Sequence, residues 1–134
     1  MKRILLSLLI ASATLLSFNS CTKEYIEEAR TITLPDYEIR PQDWNGQNTR
    51  RANFIIDAPE LSNDIVDFGV VNISMSIDGR KTFDKLPAVI EGVSYSYNYT
   101  LGEIIIFAED PIYSDGLVNI DGIRNFKVSL TPGR

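Results

Sequence analysis

The chain has 134 residues, of which 44% are hydrophobic and 23% are charged, and its formal net charge is -5. These values predict one globular domain and exclude wholesale disorder. An acidic chain repels phosphate backbones, so we expect no nucleic-acid partner. There is no histidine and a single cysteine, Cys21, which removes the commonest general base, an internal disulfide and a multi-thiolate zinc site. We therefore expect neither a cofactor nor enzymatic activity.

Residues 1–20 have the layout of a secretory signal peptide. Lys2 and Arg3 form a positive n-region, and residues 4–16 form an apolar run without a charge. That run is shorter than the roughly 20 residues that a membrane-spanning helix needs. An uncleaved anchor is the alternative interpretation, as is an ordinary signal peptide in which Cys21 is incidental.

The end of this segment carries a first resemblance. Ser20 and Cys21 resemble the end of the lipobox of bacterial lipoproteins, in which the signal is cut before a cysteine that is then acylated. Phe18 and Asn19 depart from the usual box, which has Leu at the third position before the cysteine; looser boxes occur among Bacteroidetes lipoproteins. The resemblance implies that Cys21 begins the mature protein and carries acyl chains such as palmitate. Two or more chains would hold the protein stably, because burial contributes about 0.8 kcal/mol per CH₂.

Residues 21–30 predict a polar tether, with Lys23, Glu24, Glu27 and Glu28 close together. The stretch resembles the acidic segments that route Bacteroidetes lipoproteins to the cell surface. The alternative is a solvated linker whose charges do not direct the protein to the cell surface. The implied location is the outer membrane, with the domain facing either the cell surface or the periplasm.

Residues 31–134 predict a β-domain, because apolar and polar side chains alternate along most of this segment. Pro35 indicates a break in a first edge strand. Further along, residues 78–79 (Asp-Gly) indicate a tight turn and residues 101–102 a hairpin. The seven predicted strands are residues 31–40, 52–58, 70–77, 82–90, 93–101, 103–109 and 125–131.

Residues 59–68 are the exception to this alternation. Leu61, Ile65 and Phe68 recur at helical spacing, and Ser62 and Asn63 are suitable caps, so one or two helical turns are predicted. The sequence as a whole therefore predicts an all-β fold. We expect an antiparallel immunoglobulin-like β-sandwich of about seven strands with one short helix.

The order of short motifs carries a second resemblance. The chain contains "DW", "PEL", "G-x-V", "LP", "SYSY", an apolar "IIIF" strand and "FKV" in this order, and together they span nearly all of the predicted domain. This order is similar to that of small Bacteroidetes lipoproteins of unknown function. The resemblance implies fold and location, and it implies no activity. The motifs lie at residues 43–44, 59–61, 69–71, 86–87, 94–97, 104–107 and 126–128.

Aromatic residues are the first candidates for a binding site. Tyr95, Tyr97 and Tyr99 share one face of a predicted strand and could stack on sugar rings; alternatively they face the core, with Ser and Asn between them facing solvent. Trp44 is the only tryptophan. It could be a ligand platform on a loop, or it could cover one end of the sandwich core.

Acidic residues between positions 109 and 122 are the second candidates. Glu109, Asp110, Asp115 and Asp121 offer the oxygen ligands that Ca²⁺ takes. Their spacing does not follow the EF-hand pattern, and acids beside Gly and Pro are ordinary turn formers. We predict no metal site and keep these four residues as weak calcium candidates.

Two pairs of carboxylates could in principle serve glycosidase chemistry. They are Asp57 with Glu60 and Asp64 with Asp67. Nothing in the sequence marks them as buried, and acids at the start of a helix interact favourably with its dipole. We therefore expect no catalytic role for them.

These observations together predict an envelope lipoprotein, anchored in the membrane through Cys21, with a non-enzymatic β-sandwich that is a binding or structural component. Two alternatives stay open. One is a surface module that binds a glycan or a host ligand through loops at one end of the sandwich. The other is an accessory subunit of an outer-membrane assembly, joined through an exposed strand edge.

Overall fold

Nine β-strands form two antiparallel sheets in the computed structural model, which describes residues 30–133. A 3-10 helix (Pro41–Asp43) and one α-helix, α1 (Asn63–Phe68), accompany them. The strands are β1 (Ile32–Thr33), β2 (Tyr37–Ile39), β3 (Arg51–Asp57), β4 (Val70–Ser76), β5 (Asp84–Lys85), β6 (Ala88–Ile90), β7 (Val93–Thr100), β8 (Glu103–Glu109) and β9 (Arg124–Thr131). The predicted all-β sandwich with one short α-helix is confirmed.

The last strand, β9, lies inside the first sheet. β1 and β2 pair with one side of β9, β4 pairs with its other side, and β5 pairs with the outer edge of β4. The second sheet has the order β3, β8, β7, β6. The two antiparallel layers form a sandwich in which β9 lies inside its sheet, whereas immunoglobulin domains place their last strand at a sheet edge.

The core lies between the two sheets and follows from the alternation of side chains. Successive residues of a strand point to opposite faces of the sheet, so one apolar set from each strand meets the set of the facing sheet. Alternation along residues 70–77 predicts that Val71, Ile73, Met75 and Ile77 face inward. The first three are buried, and Ile77 is partly buried just after β4 ends. Other members of this core cluster are Ala52, Ile56, Ile104, Ile106, Phe126, Val128 and Leu130.

Two of the seven predicted strands are divided, which gives nine. Residues 31–40 break around Pro35 into β1 and β2, as predicted. Residues 82–90 were predicted as one strand, and this prediction is wrong: β5 belongs to the first sheet and β6 to the second. The chain crosses between the sheets at Leu86 and Pro87. Leu86 is buried in the core, and Pro87 has no N–H with which to continue a ladder.

The α-helix is shorter than its apolar spacing indicates. Leu61 and Ile65 are buried, but Phe68 is 57% exposed. Helix α1 begins only at Asn63, so Leu61 lies outside it and the seven-residue spacing from Leu61 to Phe68 does not follow one helix face. Gly69 then ends the helix against β9, where a Cβ atom would collide with the carbonyl oxygen of Thr131.

The two predicted turns differ in outcome. Residues 101–102 form the predicted hairpin turn between β7 and β8, with Gly102 at φ 75°. Residues 78–79 were predicted to form a tight turn, and instead residues 77–83 form a wider loop before β5. The Asp78 carboxylate closes this loop, because it accepts hydrogen bonds from the backbone amides of Lys81 and Thr82 at 3.1 and 3.0 Å.

The sandwich has two distinct ends. At the entry end, the described chain begins beside the last residues of β9, and the hydroxyls of Thr31 and Thr131 are 3.1 Å apart. At the loop end, β9 begins with Arg124, which pairs with Ile39 at the end of β2. The loop end also carries loop 77–83, the turn at residues 91–92 and the long loop 110–123. Seven residue steps of β9 separate the two ends by about 23 Å.

Candidate binding site

A buried arginine lies at the loop end of the sandwich. Arg124 is the first residue of β9, and it has the inward orientation of Phe126, Val128 and Leu130 because the four alternate along the strand. The residue is only 6% exposed. A guanidinium is always charged and is rarely this buried unless it is paired.

The partners of Arg124 are mostly neutral. Its Nε donates to the hydroxyl of Tyr95 at 3.4 Å, and its Nη1 donates to the carbonyl oxygen of Ile123 at 3.2 Å. The carboxylate of Glu91 approaches Nη2 only to 3.9 Å, and the Glu91 side chain is 65% exposed. The buried positive charge therefore has one distant, solvated counter-charge within the described part of the chain.

A cavity of about 480 Å³ opens at this end. Its wall includes Ile77 and Arg80 from loop 77–83 and Ile123, Arg124 and Asn125 from the opposite side. Glu38 of β2 lines it as well. The cavity thus combines two isoleucines with charged and amide side chains.

Gly122 makes room for the guanidinium beside this cavity. Gly122 is itself a lining residue, and a Cβ atom on it would lie 2.7 Å from Nη1 of Arg124. A side chain at position 122 would therefore displace the guanidinium. Gly122 thus leaves space for the present position of the guanidinium, and its backbone conformation does not require glycine.

The other charges around the cavity are paired on the surface. Arg80 forms an ion pair with Asp36, and Glu38 lies 3.5 Å from Arg40. Arg124 differs from these four residues because it is buried and has no carboxylate of residues 30–133 within hydrogen-bonding distance. It is the charge at this end that a bound anion would compensate most.

Two of the aromatic candidates belong to the core. Trp44 is 4% exposed and Tyr95 is 1% exposed, and the Trp44 ring contacts Phe54, Tyr95 and Phe126 at centroid distances of 6.2–6.4 Å. Neither ring presents a face to a ligand, so both residues match the core interpretation of the sequence and not the ligand-binding one. The indole Nε1 of Trp44 is buried without a hydrogen-bond partner among the described residues.

The two other tyrosines lie nearer the entry end. Tyr97 is half-buried, and its hydroxyl donates to the carbonyl oxygen of Val71 at 2.7 Å. Burial, followed by the neighbouring charge of Tyr99, raises the pKa of Tyr97 above its usual value. Tyr99 is 36% exposed and lines a smaller cavity of about 170 Å³ with Ile105. Of the three tyrosines, Tyr99 alone is an exposed residue.

The four acidic candidates do not converge. Glu109 pairs with Arg51 at 2.7 Å. Asp110 accepts hydrogen bonds from the amides of Tyr113 and Ile112, which lower its pKa below the usual value. Asp115 and Asp121 are exposed. No group of three or more His, Cys, Asp or Glu side chains that could hold a metal occurs within residues 30–133.

The two carboxylate pairs lie at the ends of β3 and α1, near the entry end. Asp57 and Glu60 are exposed, and both contribute, after burial, to raising the pKa of Tyr37. Asp64 lies in the first turn of α1, and Asp67 is exposed near its end. These carboxylates line neither cavity described above.

The lipidation candidate Cys21 and the signal peptide lie outside the described residues. Over residues 30–133, no helix is long and apolar enough to cross a membrane.

Sequence reasoning did not select Arg124. Its predicted strand began one residue later, at residue 125, so Arg124 was left outside the alternating pattern. The signal was present, because Arg124 continues the inward series of Phe126, Val128 and Leu130. A charged residue in phase with a buried apolar face is unusual and indicates either a buried pair or a site.

Comparison of the chain with family models, with curated proteins and with solved structures gave no match.

Proposed function

We propose that this protein is an envelope lipoprotein, anchored through Cys21, whose β-sandwich is a non-enzymatic binding domain with its ligand site at the loop end. The anchor rests on the signal-like residues 1–20 and on the position of the only cysteine directly after them. The binding role rests on the arrangement of the sandwich itself.

The observation that carries the proposal is the separation of the two ends. The described chain begins at the entry end, where Thr31 lies beside Thr131. The Arg124 cavity and loop 110–123 lie at the other end, about 23 Å away along β9. A lipid on Cys21 joins the domain at the entry end, and in the proposed arrangement the loop end faces away from the membrane and is open to a ligand.

Exposed apolar side chains support a binding role for that end. Ile112, Tyr113 and Leu117 of loop 110–123 are all exposed, and so is Ile123 beside the cavity. Val70 and Leu101 at the entry end are exposed as well, so the support lies in the density within one loop, where three such side chains occur between residues 112 and 117. Contiguous apolar surface marks interaction sites.

The anchor is tested with full-length protein expressed in a bacterial host and labelled with an alkyne analogue of palmitate. We expect label and membrane association in the wild type and neither in Cys21→Ser. Thr22→Ser is the matched control, since it keeps the thiol. Unlabelled wild-type protein in the non-membrane fraction would contradict the anchor.

The orientation is tested with lipidated protein in vesicles that carry a headgroup quencher. Leu101→Cys places a fluorescent label at the entry end and Ile112→Cys places one at the loop end; both positions are exposed. Each new thiol is the only one available for labelling, because the single native cysteine is acylated. We expect stronger quenching at position 101. Equal or reversed quenching would contradict the arrangement.

The location of the binding site is tested by a fragment screen with NMR detection on the full chain. We expect hits that perturb the amides of Ile77, Ile123 and Asn125. Hits confined to the entry end, around Ala58 and Gly102, or no hits at all, would contradict a loop-end site.

A further inference from the structure

We infer that the loop-end cavity binds an organic monocarboxylate, with the guanidinium of Arg124 as the partner of the carboxylate. This inference rests on the proposed binding function and adds the chemical class of the ligand. It is carried by one buried charge, its incomplete set of partners and the walls of the cavity beside it.

The charge of Arg124 is under-compensated. A buried charge is stable only when it is paired and hydrogen-bonded. Arg124 is 6% exposed, its two hydrogen-bond acceptors are a neutral hydroxyl and a neutral carbonyl, and the Glu91 carboxylate stays at 3.9 Å. An anion seated in the cavity would supply the missing counter-charge.

The guanidinium still has donors to offer. It carries five N–H groups in a planar fork that matches the two oxygens of a carboxylate. The described residues occupy one at Nε and one at Nη1, whereas Nη2 has only the distant Glu91 carboxylate. One Nη1 donor and the Nη2 donors therefore remain for a ligand.

The cavity walls favour an organic body behind that carboxylate. Ile77 and Ile123 provide apolar surface, and Asn125 provides an amide at the same wall. A volume of about 480 Å³ lies within the roughly 300–1,000 Å³ that small-molecule sites occupy. The space is larger than a simple inorganic ion needs.

The charge balance favours a single negative charge over two. Glu38 lines the cavity, and the positive charge of Arg80 is already paired with Asp36. Glu38 is likewise paired with Arg40, so a phosphate dianion would meet a single uncompensated guanidinium. A monocarboxylate matches Arg124 alone.

The test measures binding of phenylacetate to the full-length protein by NMR titration, with phenylacetamide as the neutral ligand of the same shape and inorganic phosphate as a third probe. We expect phenylacetate to bind at least tenfold more tightly than phenylacetamide and than phosphate. Arg124→Gln should reduce phenylacetate affinity at least tenfold. Equal binding of phenylacetate and phenylacetamide, or tighter binding of phosphate, would overturn the inference.

A second variant covers the case in which Arg124→Gln does not fold. Glu91 is exposed, and its removal leaves the core intact, so Glu91→Gln should raise phenylacetate affinity two- to threefold by removing the competing carboxylate. Glu60→Gln, an exposed acid at the entry end, is the matched control and should change nothing. An affinity that is the same in Glu91→Gln and Glu60→Gln would count against the inference.

The two proposals fail in different ways. If phenylacetate does not bind while neutral fragments still perturb Ile77, Ile123 and Asn125, the carboxylate inference falls and the loop-end site stands. If no fragment perturbs these residues, both fall.

Discussion

The hydroxyl of Tyr97 donates a 2.7 Å hydrogen bond to the main-chain carbonyl oxygen of Val71. Tyr97 belongs to β7 of the second sheet and Val71 to β4 of the first, so this bond crosses the sandwich. Most contacts between the sheets are apolar and without direction. This hydrogen bond adds a directional contact that fixes β7 relative to β4.

The first prediction concerns this bond. Tyr97→Phe keeps the ring and leaves the Val71 carbonyl without its side-chain donor, so we expect the free energy of unfolding to fall by about 1 kcal/mol. Urea denaturation of full-length protein carrying Cys21→Ser measures the change without a lipid. Tyr99→Phe is the matched control, because no hydrogen bond of the Tyr99 hydroxyl occurs within the described chain, and it should leave the midpoint unchanged. Equal effects of the two changes would contradict a role for the bond.

The second prediction is a loss of stability in alkali. Burial raises the pKa of Tyr97 and of Tyr37 above 10.0, and nearby negative charges add to both shifts. A raised pKa means that the folded state favours the neutral phenol, so this stabilisation is present below pH 10 and is lost as the pH rises through the folded-state pKa. We expect the free energy of unfolding to fall above about pH 10, and to fall less in Tyr97→Phe. The same alkaline slope in both proteins would exclude Tyr97 as a cause.

The third prediction separates the packing role of Trp44 from that of its indole N–H. Trp44→Ala removes a buried ring that contacts Phe54, Tyr95 and Phe126, so we expect a loss of about 3–5 kcal/mol. Trp44→Phe should cost less, since it keeps an aromatic ring and removes a donor that has no partner in the described part of the chain. Thermal unfolding of both variants measures the difference. A Trp44→Ala protein as stable as the wild type would contradict the buried position.

The fourth prediction concerns loop 77–83, which forms one wall of the cavity. The Asp78 carboxylate accepts hydrogen bonds from the hydroxyl and amide of Thr82, the hydroxyl of Ser76 and the amide of Lys81. Its pKa is accordingly lowered, chiefly by the Thr82 side chain. Because the pKa of Asp78 is lower in the folded protein, the hydrogen bonds that order the loop are fully formed above pH 3.8. They are lost only as the pH falls through the folded-state pKa of Asp78.

Asp78→Ala should therefore speed amide hydrogen exchange at Lys81 and Thr82 at least tenfold at neutral pH. Asp84→Ala, an exposed acid in the following strand, should leave both rates unchanged. Slow exchange that persists in Asp78→Ala would show that other contacts hold the loop.

Much of the fold could be predicted from the sequence, because the relevant signal is local. Alternation predicted the inward face of β4, with Val71, Ile73 and Met75 all buried. Glycine and proline marked the hairpin at residues 101–102 and the break at Pro35 for reasons of backbone geometry. The burial of Ser76 was not predicted, because alternation along β4 places its side chain toward solvent. Loop 77–83 covers this side chain, whose hydroxyl donates to the Asp78 carboxylate and accepts from the amide of Arg80.

The candidate site was much less predictable. The aromatic residues that attracted attention, Trp44 and Tyr95, are core residues, because a large ring in an alternating strand faces inward far more often than outward. The acids at positions 109–121 serve turns and a surface ion pair. Arg124 was overlooked, although its phase along β9 could have indicated it.

The sequence by itself determined a two-sheet β-domain and which face of most strands is buried, because side-chain period and turn chemistry act over a few residues. Only the tertiary structure decided that residues 82–90 divide between the sheets and that Arg124, Tyr95 and Glu91 meet at one end. Those contacts join residues about 30 positions apart in the chain. No local pattern specifies such a meeting, since it depends on how the two sheets are packed together.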